Sequence, residues 1–541
     1  MSAALTRKQS GLMSTTQSQF CSTCGSRSDS YATDLPKPRP CKLVQGGSCA
    51  LCRELDDFDI GYQAILQDLT QQRRNILQRI NERHDPFIQR FPFEIASQVF
   101  VFCLPRQLFD SNPATLSLVW DDSKDSSITP FNIVLGSICQ SWRRIAWSTP
   151  NLWSTLPIRL HRCDRKTQMD LTLEWFGRSA HIPLDVTVAY DLDSIPLAPD
   201  LTEENIGLWK PLIDIVNGCS SRWKTFVMDV PELVHSYVVG NGEPTSILER
   251  LKLGGPDFFR RLPIGFSLTN ALPMPSELVS GAVPLRLIDI GWSNLTTVRI
   301  TNFYINECLV LLQWAPRLIT FTINGLQRGL DETLPAPAPT THNTLICLDI
   351  FDLDEWQLLN FLTLPSLMDL SYNSDSNALD DVTAFLQRSG CRLTELRIEA
   401  YDLDKITETM MASNLQALEN LEYHGNLDDC LYCLNKPTNR DDAPISLPNL
   451  HKLAIWDRPR NWSGLADLFQ SRPLGTLAIH LTCRISENAR VDQESALRFQ
   501  DLIKKGHDIT VMGLLMGENG KEHDLLPWII EVWVPPTKTA V

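Results

Sequence analysis

Two Cys-x-x-Cys pairs near the start of the chain are the residues whose types and spacing best fit a chemical site. Cys21 and Cys24 form the first pair, and Cys49 and Cys52 form the second. Cysteine thiolates at this spacing can share a tetrahedral zinc ion. The 24 residues between the pairs exceed the usual zinc-ribbon spacing, and reduced thiols in a flexible tail explain the same residues. Zinc is therefore the one candidate cofactor, held by these four cysteines, with reduced thiols as the alternative.

The sequence contains no motif of a familiar catalytic site. It lacks a Gly-x-Ser-x-Gly elbow, a His-Glu-x-x-His pair, a Walker loop and a glycine-rich dinucleotide turn. The ten histidines are scattered singly along the chain. We therefore expect no catalytic residues and a protein that is not an enzyme.

Composition restricts the compartment and the partners. The formal net charge of −15 argues against nucleic-acid binding, which needs basic surface to neutralise phosphates. No apolar run approaches the roughly 18–20 residues of a membrane helix, and the first 20 residues lack the apolar core of a secretory signal. We expect a soluble, intracellular chain, cytoplasmic or nuclear, that binds neither nucleic acid nor membrane.

The N-terminal part divides into a tail and a helix. Residues 1–50 are rich in Ser, Thr, Gln, Gly and Pro, which predicts disorder. Residues 51–86 have apolar residues at seven-residue intervals, which predicts a helix: Leu55, Tyr62, Leu69 and Ile76. A coiled coil is one interpretation, but Gly61 weakens the pattern and its second stripe fails at Gln72 and Arg79. We favour a single amphipathic helix that packs on its own domain.

Residues 87–157 contain two apolar signatures separated by a polar insertion. The first begins Phe-Pro-Phe-Glu-Ile at Phe91 and ends Cys-Leu-Pro at Pro105. The second begins Ile-Cys-Gln-Ser-Trp at Ile138, runs as one helical stretch through Arg-Arg-Ile-Ala, and closes Pro-Asn-Leu-Trp at Trp153. The acidic, serine-rich stretch 106–129 between them predicts a surface loop. A plain helical subdomain, with all of these apolar residues in its core, explains the periodicity equally well.

The pattern resembles the F-box of a large fungal family, with its Leu-Pro-x-Glu-Ile opening, Val-Cys-x-x-Trp-Arg-x-Ile-Ala centre and Thr-Pro-x-Leu-Trp close. The match covers most of 88–156 and departs at Phe91, Val99, Ile138 and the insertion. The resemblance implies a subdomain that docks the Skp-type adaptor of a cullin-based ubiquitin ligase. Some of its residues would pack the core and others would meet the adaptor: Pro92, Ile95, Val99, Phe100, Leu104, Ile138, Trp142, Ile145, Leu152 and Trp153.

Residues 158–541 carry a repeated Leu-x-x-Leu-x-Ile unit. It recurs, with substitutions, from Trp223, Leu248, Leu295, Leu318, Leu345, Leu367, Leu393, Leu418, Leu450 and Leu474. From Leu295 onward the starts lie 22 to 32 residues apart, mostly within the range of leucine-rich repeats. Helical patterns between the units predict strand-helix repeats whose parallel strands form a solenoid, with a cap at the C-terminal end. Residues 528–534 are strongly β-prone and predict an edge strand.

These inferences give one fold and three functions. The predicted fold is α/β, with an F-box-like helical subdomain followed by a leucine-rich-repeat-like solenoid. The resemblance implies a substrate receptor of a cullin-based ubiquitin ligase, whose partners are the Skp-type adaptor, the cullin scaffold and an unknown target protein. The first alternative is a protein-binding scaffold that works without the adaptor, and the second is a zinc-binding nuclear regulator.

Overall fold

The structure is a computed structural model, and it describes the chain in segments. These are residues 49–84, 91–104, 131–160, 165–190, 207–230, 232–254, 265–281, 283–327, 329–351, 358–373, 378–399, 415–424, 427–435, 447–455, 462–470, 478–485, 493–506, 510–515 and 522–524. The predicted tail with Cys21 and Cys24, the insertion 106–129 and the edge strand 528–534 lie outside them. The chain divides into a first unit, residues 1–155 with 173–182, and a second unit, residues 156–172 with 183–541.

The first unit is helical in its described residues. Its helices are α1 (Ala50–His84), α2 (Phe93–Phe102), α3 (Phe131–Ile138) and α4 (Gln140–Trp147), followed by a 3-10 turn at Pro150–Trp153. The single helical stretch predicted from Ile138 onward is wrong. Cys139 is extended (φ −156°, ψ 168°) and ends α3, and its Sγ accepts a hydrogen bond from the Trp142 backbone N–H that caps α4 (3.4 Å).

The second unit consists mainly of one large sheet. Its strands are β1 (Thr155–Leu160), β2 (Leu184–Tyr190), β3 (Trp223–Asp229), β4 (Arg250–Gly254), β5 (Glu277–Gly281), β6 (Thr297–Tyr304), β7 (Thr320–Gln327), β9 (Cys347–Phe351), β11 (Asp369–Asn373), β12 (Glu395–Glu399), β13 (Asn420–His424), β14 (Lys452–Ile455), β15 (Ala478–Ile485), β16 (Thr510–Leu515) and β17 (Glu522–Asp524). They lie side by side in chain order. A separate parallel pair is formed by β8 (Thr340–Thr341) and β10 (Leu362–Thr363).

All adjacent strands from β2 to β16 are parallel, and β17 pairs antiparallel with β16. The mixed α/β class with a parallel sheet is therefore confirmed. Helices lie between several of the strands: α5 (Arg165–Arg178), α6 (Lys210–Asn217), α7 (Glu232–His235), α8 (Ile305–Trp314), α9 (Ala378–Ser389), α10 (Leu427–Asn435), α11 (Trp462–Gln470) and α12 (Gln493–Lys504).

The repeated unit places its apolar residues in register. The second Leu position forms one continuous row, in which Leu348, Leu370 and Leu396 are neighbours on adjacent strands. The third position forms the next row, with Ile350, Tyr372 and Ile398. These six side chains are at most 2% exposed. Because side chains alternate along a strand, burying these rows leaves the residues between them on the other face.

The sequence pattern did not predict strand β5, and the helix expected between β5 and β6 is absent. Strand β5 lies between the units of Leu248 and Leu295, where Pro275 and Ser280 occupy the usual Leu and Ile positions. The connection from β5 to β6 contains two 3-10 turns, Leu285–Leu287 and Trp292–Asn294, in its described residues. Pro284 precedes the first turn and cannot donate a helical hydrogen bond. The prediction that every unit combines a strand with a helix is therefore wrong here.

Buried asparagine and glutamate side chains form hydrogen bonds that hold the segments between the strands in place. The Asn217 Nδ2 donates to the Tyr237 carbonyl (2.7 Å), while its Oδ1 accepts from the Gly240 backbone N–H (3.1 Å). The fully buried Glu307 closes the start of α8 by accepting from the Tyr304 N–H (3.0 Å) and the Leu285 N–H (3.2 Å). These bonds satisfy backbone groups that turns leave unpaired. Among the described helices, none has the length and apolar content that a bilayer crossing requires.

Candidate functional site

The structure separates the ten residues predicted to form the docking subdomain into two classes. Four lie in the core of the first unit with at most 6% exposure: Phe100, Ile145, Leu152 and Trp153. Val99, Leu104 and Trp142 are half-buried, and Pro92, Ile95 and Ile138 are exposed. Thus the residues at the centre of the motif build the subdomain, while those at its two openings stay accessible.

Aromatic packing and three side-chain hydrogen bonds hold the core of this unit. The Phe100 and Trp142 rings lie 4.8 Å apart, which joins α2 to α4. The Trp153 Nε1–H donates to the Ala146 carbonyl at the end of α4 (2.8 Å). The Thr149 hydroxyl contacts the Ile145 carbonyl (2.7 Å) and the Ser97 hydroxyl (3.0 Å). The final Thr-Pro-x-Leu-Trp segment therefore fixes α4 against α2.

An arginine also contributes to this packing. Arg143, which the helical pattern leaves facing water, is half-buried, and its Nε–H donates to the Gly136 carbonyl near the end of α3 (2.7 Å). Its guanidinium lies 5.3 Å from the centre of the Trp147 ring. Arg143 thus ties α4 to α3 across the break at Cys139.

Several large apolar side chains beside the motif remain exposed. Phe102 is 84% exposed and Ile95 is 47% exposed, both on α2. On α3, Val134 is 41% exposed and Ile138 is 51% exposed. The helix break at Cys139 explains Ile138, because it removes this residue from the face that carries Trp142 and Ile145. We call Ile95, Phe102, Val134 and Ile138 the docking residues; Phe102 and Val134 were not among the predicted contacts.

A second candidate surface lies on the polar face of the sheet. In one row across neighbouring strands, Cys347 of β9, Asp369 of β11 and Glu395 of β12 are in register. In the next row, Asp349, Ser371 and Arg397 occupy the same three strands, and Glu422 of β13 follows Arg397. We call Asp349, Asp369, Glu395 and Glu422 the acidic patch.

Arg397 neutralises only part of the acidic patch. Its guanidinium lies 2.9 Å from the Glu395 carboxylate and 3.2 Å from the Glu422 carboxylate. Asp349 is 9% exposed and accepts a hydrogen bond from the Thr322 hydroxyl through Oδ2 (3.3 Å). The buried Oδ1 atoms of Asp349 and Asp369 have no hydrogen-bond partner among the described residues. Buried acceptors of this kind are normally satisfied, so a donor from outside the chain would be favoured here once the surrounding side chains move aside.

Burial and like charges perturb the acidic patch. Burial, reinforced by the Glu395 carboxylate, raises the pKa of Asp369 from 3.8 to about 6. Burial also raises the pKa of Asp349, against the opposing effect of Arg397. The pKa of the Cys347 thiol is raised by burial and by both aspartates, so the thiol stays protonated and contacts the Asp369 Oδ2 (3.4 Å). A cationic partner would relieve this repulsion and lower the two carboxyl pKa values.

The predicted zinc site cannot be assembled from the described residues. Cys49 precedes α1 and Cys52 lies within its first turn, whereas Cys21 and Cys24 are outside the described part of the chain. Within that part, no cluster of three His, Cys, Asp or Glu side chains could hold a metal ion. The four-cysteine zinc site therefore stays a prediction.

The sequence analysis did not predict the acidic patch. Its four members lie on four different strands, 20 to 27 residues apart along the chain, and only the strand register places them together. Neither the comparison with protein-family models nor the search of curated proteins finds a match for this chain.

Proposed function

We propose that this chain is the target-recognition subunit of a cullin-based ubiquitin ligase. The helices between residues 91 and 153 would bind a Skp-type adaptor, and the polar face of the sheet would bind the target protein. The chain would supply no catalytic group of its own. The proposal rests on the F-box-like motif and on the two accessible surfaces described above.

The observation that carries the proposal is the exposure of apolar residues at the two openings of the motif. A subdomain that served only as packing would bury Ile95 and Ile138 with Phe100 and Ile145. Instead, Ile95 and Ile138 are about half exposed (47% and 51%) while Phe100 and Ile145 are buried. Exposed aliphatic and aromatic anchors of this kind supply most of the binding energy in protein interfaces.

Binding of the full-length chain to a purified Skp-type adaptor tests the docking residues. The Ile95→Asp, Ile138→Asp double variant should weaken adaptor binding by about 2 kcal/mol or more, roughly 30-fold. Both side chains are exposed, so the variant should retain the circular dichroism spectrum of the parent. Leu173→Asp is a matched control, because Leu173 is an equally exposed apolar residue (54%) on α5; it should bind normally.

The outcome separates the proposal from its alternatives. If the parent chain binds no Skp-type adaptor, the ligase function is rejected and the adaptor-independent scaffold takes its place. If the Ile95→Asp, Ile138→Asp variant and the Leu173→Asp control weaken binding equally, the adaptor docks elsewhere on the chain.

The acidic patch indicates which targets the sheet would hold. Asp349 is buried and Asp369 is half-buried, and each carboxylate has an unsatisfied oxygen and a raised pKa. We therefore expect the target segment to place a lysine or arginine side chain at Asp349 and Asp369. Since charge-assisted hydrogen bonds are roughly twice as strong as neutral ones, this contact would discriminate between targets.

Selection from a random peptide library with the full chain tests this chemistry. Peptides that bind should be enriched in lysine and arginine, and the Asp349→Asn, Asp369→Asn variant should lose the enrichment. The Glu243→Gln, Asp289→Asn variant removes the same charge at two residues outside the patch and should keep it. Enrichment that is absent, or that survives in the patch variant, would contradict the assignment.

A further inference from the structure

Helix α1 exposes a long apolar stripe. The helix has 35 residues and is therefore about 50 Å long. Along it, apolar residues alternate at spacings of four and three: Leu51, Leu55, Phe58, Tyr62, Ile65 and Leu69. Ten large apolar side chains of α1, including these six, are 41% to 75% exposed. The expectation that this helix packs on its own domain is therefore wrong for the described part of the chain.

Such a stripe needs a partner. Most of the stability of a helix in a protein comes from packing its apolar face rather than from intrinsic propensity. Alternating spacings of four and three form the seam of a two-helix coiled coil, in which each side chain enters a gap on the facing helix. From Leu51 to Leu69 the stripe of α1 therefore has the geometry of a helix-helix interface, and beyond it Gln72 and Arg79 place polar side chains in the seam.

The charges of α1 identify the partner. From Ala50 to Leu69 the helix carries five carboxylates and one arginine, and from Thr70 to His84 it carries four arginines and one glutamate. A second α1 running antiparallel would place each acidic half against a basic half. A parallel copy would instead place acid against acid along the first half and arginine against arginine along the second half.

We propose that α1 mediates homodimerisation of the chain through an antiparallel coiled coil. Antiparallel pairing is two-fold symmetric, so the same surface on both copies closes the interface and no site remains for a third chain. The proposal is independent of the ligase function. It would give an assembly with two docking surfaces and two sheet faces.

Sedimentation equilibrium of the full-length chain tests the dimer. The parent should sediment at twice the chain mass, and the Ile65→Glu, Leu69→Glu variant should dissociate at least about tenfold more readily, because both residues lie in the seam. The control Gln63→Glu, Gln67→Glu adds the same charge at exposed positions on the opposite side of α1. It should remain dimeric. A monomeric parent, or a dimer that the seam variant leaves unchanged, would overturn the proposal.

A charge exchange tests the antiparallel direction. Arg73→Glu, Arg79→Glu should weaken the dimer, because the acidic half of the other copy would then face carboxylates. Adding Glu54→Lys, Asp59→Lys to this double variant should restore it. A parallel coiled coil predicts no such rescue, because each half of α1 would still face the same half of the other copy. A parent that dimerises without this rescue would therefore rule out the antiparallel direction. High salt should weaken the parent dimer.

Discussion

Helix α1 and the sheet have similar apolar repeats but opposite surroundings. In the sheet, Leu348, Leu370 and Leu396 are neighbours in one row, and each is 0% exposed. In α1, Leu55 and Leu69 belong to an equally regular stripe and are 56% and 55% exposed. The sheet repeats supply their own cover, because each strand packs beside the next. Helix α1 has no such neighbouring repeat in the described part of the chain, so the proposed second copy would cover its stripe.

The largest expected effect lies in the sheet. Leu370→Ala should lower the free energy of unfolding by about 2–5 kcal/mol, because it leaves a cavity between fully buried neighbours. Urea unfolding followed by circular dichroism measures this. A loss below about 1 kcal/mol would mean that the row is loosely packed and that the contrast with α1 is weaker than described.

The second-largest effect on stability should come from the core of the first, helical unit. Trp153→Phe keeps most of the ring but removes the Nε1–H that donates to the Ala146 carbonyl (2.8 Å). The carbonyl would keep the longer bond from the Thr149 N–H (3.4 Å), so losing the Trp153 bond should destabilise the unit by about 0.5–1.5 kcal/mol. Hydrogen exchange of the α2 and α4 amides in increasing urea reports on this unit, and unchanged protection would show that water replaces the donor.

The acidic patch should give a smaller, pH-dependent effect. The pKa of Asp369 is raised from 3.8 to about 6 in the folded chain. Between these values the folded chain binds more protons than the unfolded chain, so the free energy of unfolding falls as pH rises from about 4 to 6. Asp369→Asn should remove this component, which amounts to no more than about 1 kcal/mol after solvent screening.

Urea midpoints at pH 4, 5, 6 and 7 measure the difference between this variant and the parent. The neighbouring Asp349, Glu395, Arg397 and Cys347 are unchanged in both proteins, so the comparison isolates Asp369. If the parent gains stability relative to the variant as pH rises through this window, the sign of the pKa shift is wrong.

The smallest effect should come from α1 in the dissociated chain. Leu55→Ala should change the free energy of unfolding by less than about 0.5 kcal/mol at protein concentrations below the dimer dissociation constant. Hydrogen exchange of α1 at these concentrations and at tenfold higher ones sharpens the comparison. Protection that does not depend on concentration would show that α1 is covered by its own chain.

The sequence predicts the strands well because their cause is local. A Leu-x-x-Leu-x-Ile unit contains both the alternation that forms a strand and the side chains that its neighbours bury. The same rule missed β5, where Pro275 and Ser280 replace the expected residues. It could not separate Ile138 from the core, because this residue is exposed by the break at Cys139. The sequence pattern also could not predict the acidic patch, because only the register between strands brings its four members together.

The order of the strands has a mechanical consequence. From β2 to β16 every strand is held by the preceding and following strands of the sheet, and chain order equals spatial order. Pulling on the C-terminal end should therefore peel the sheet one strand at a time, without first rupturing distant contacts. Each step should release about 25 residues, or roughly 80 Å of extended chain, which would appear in single-molecule force spectroscopy as a staircase of evenly spaced, low-force events. An unfoldase pulling on this end would meet a series of small barriers instead of one large barrier.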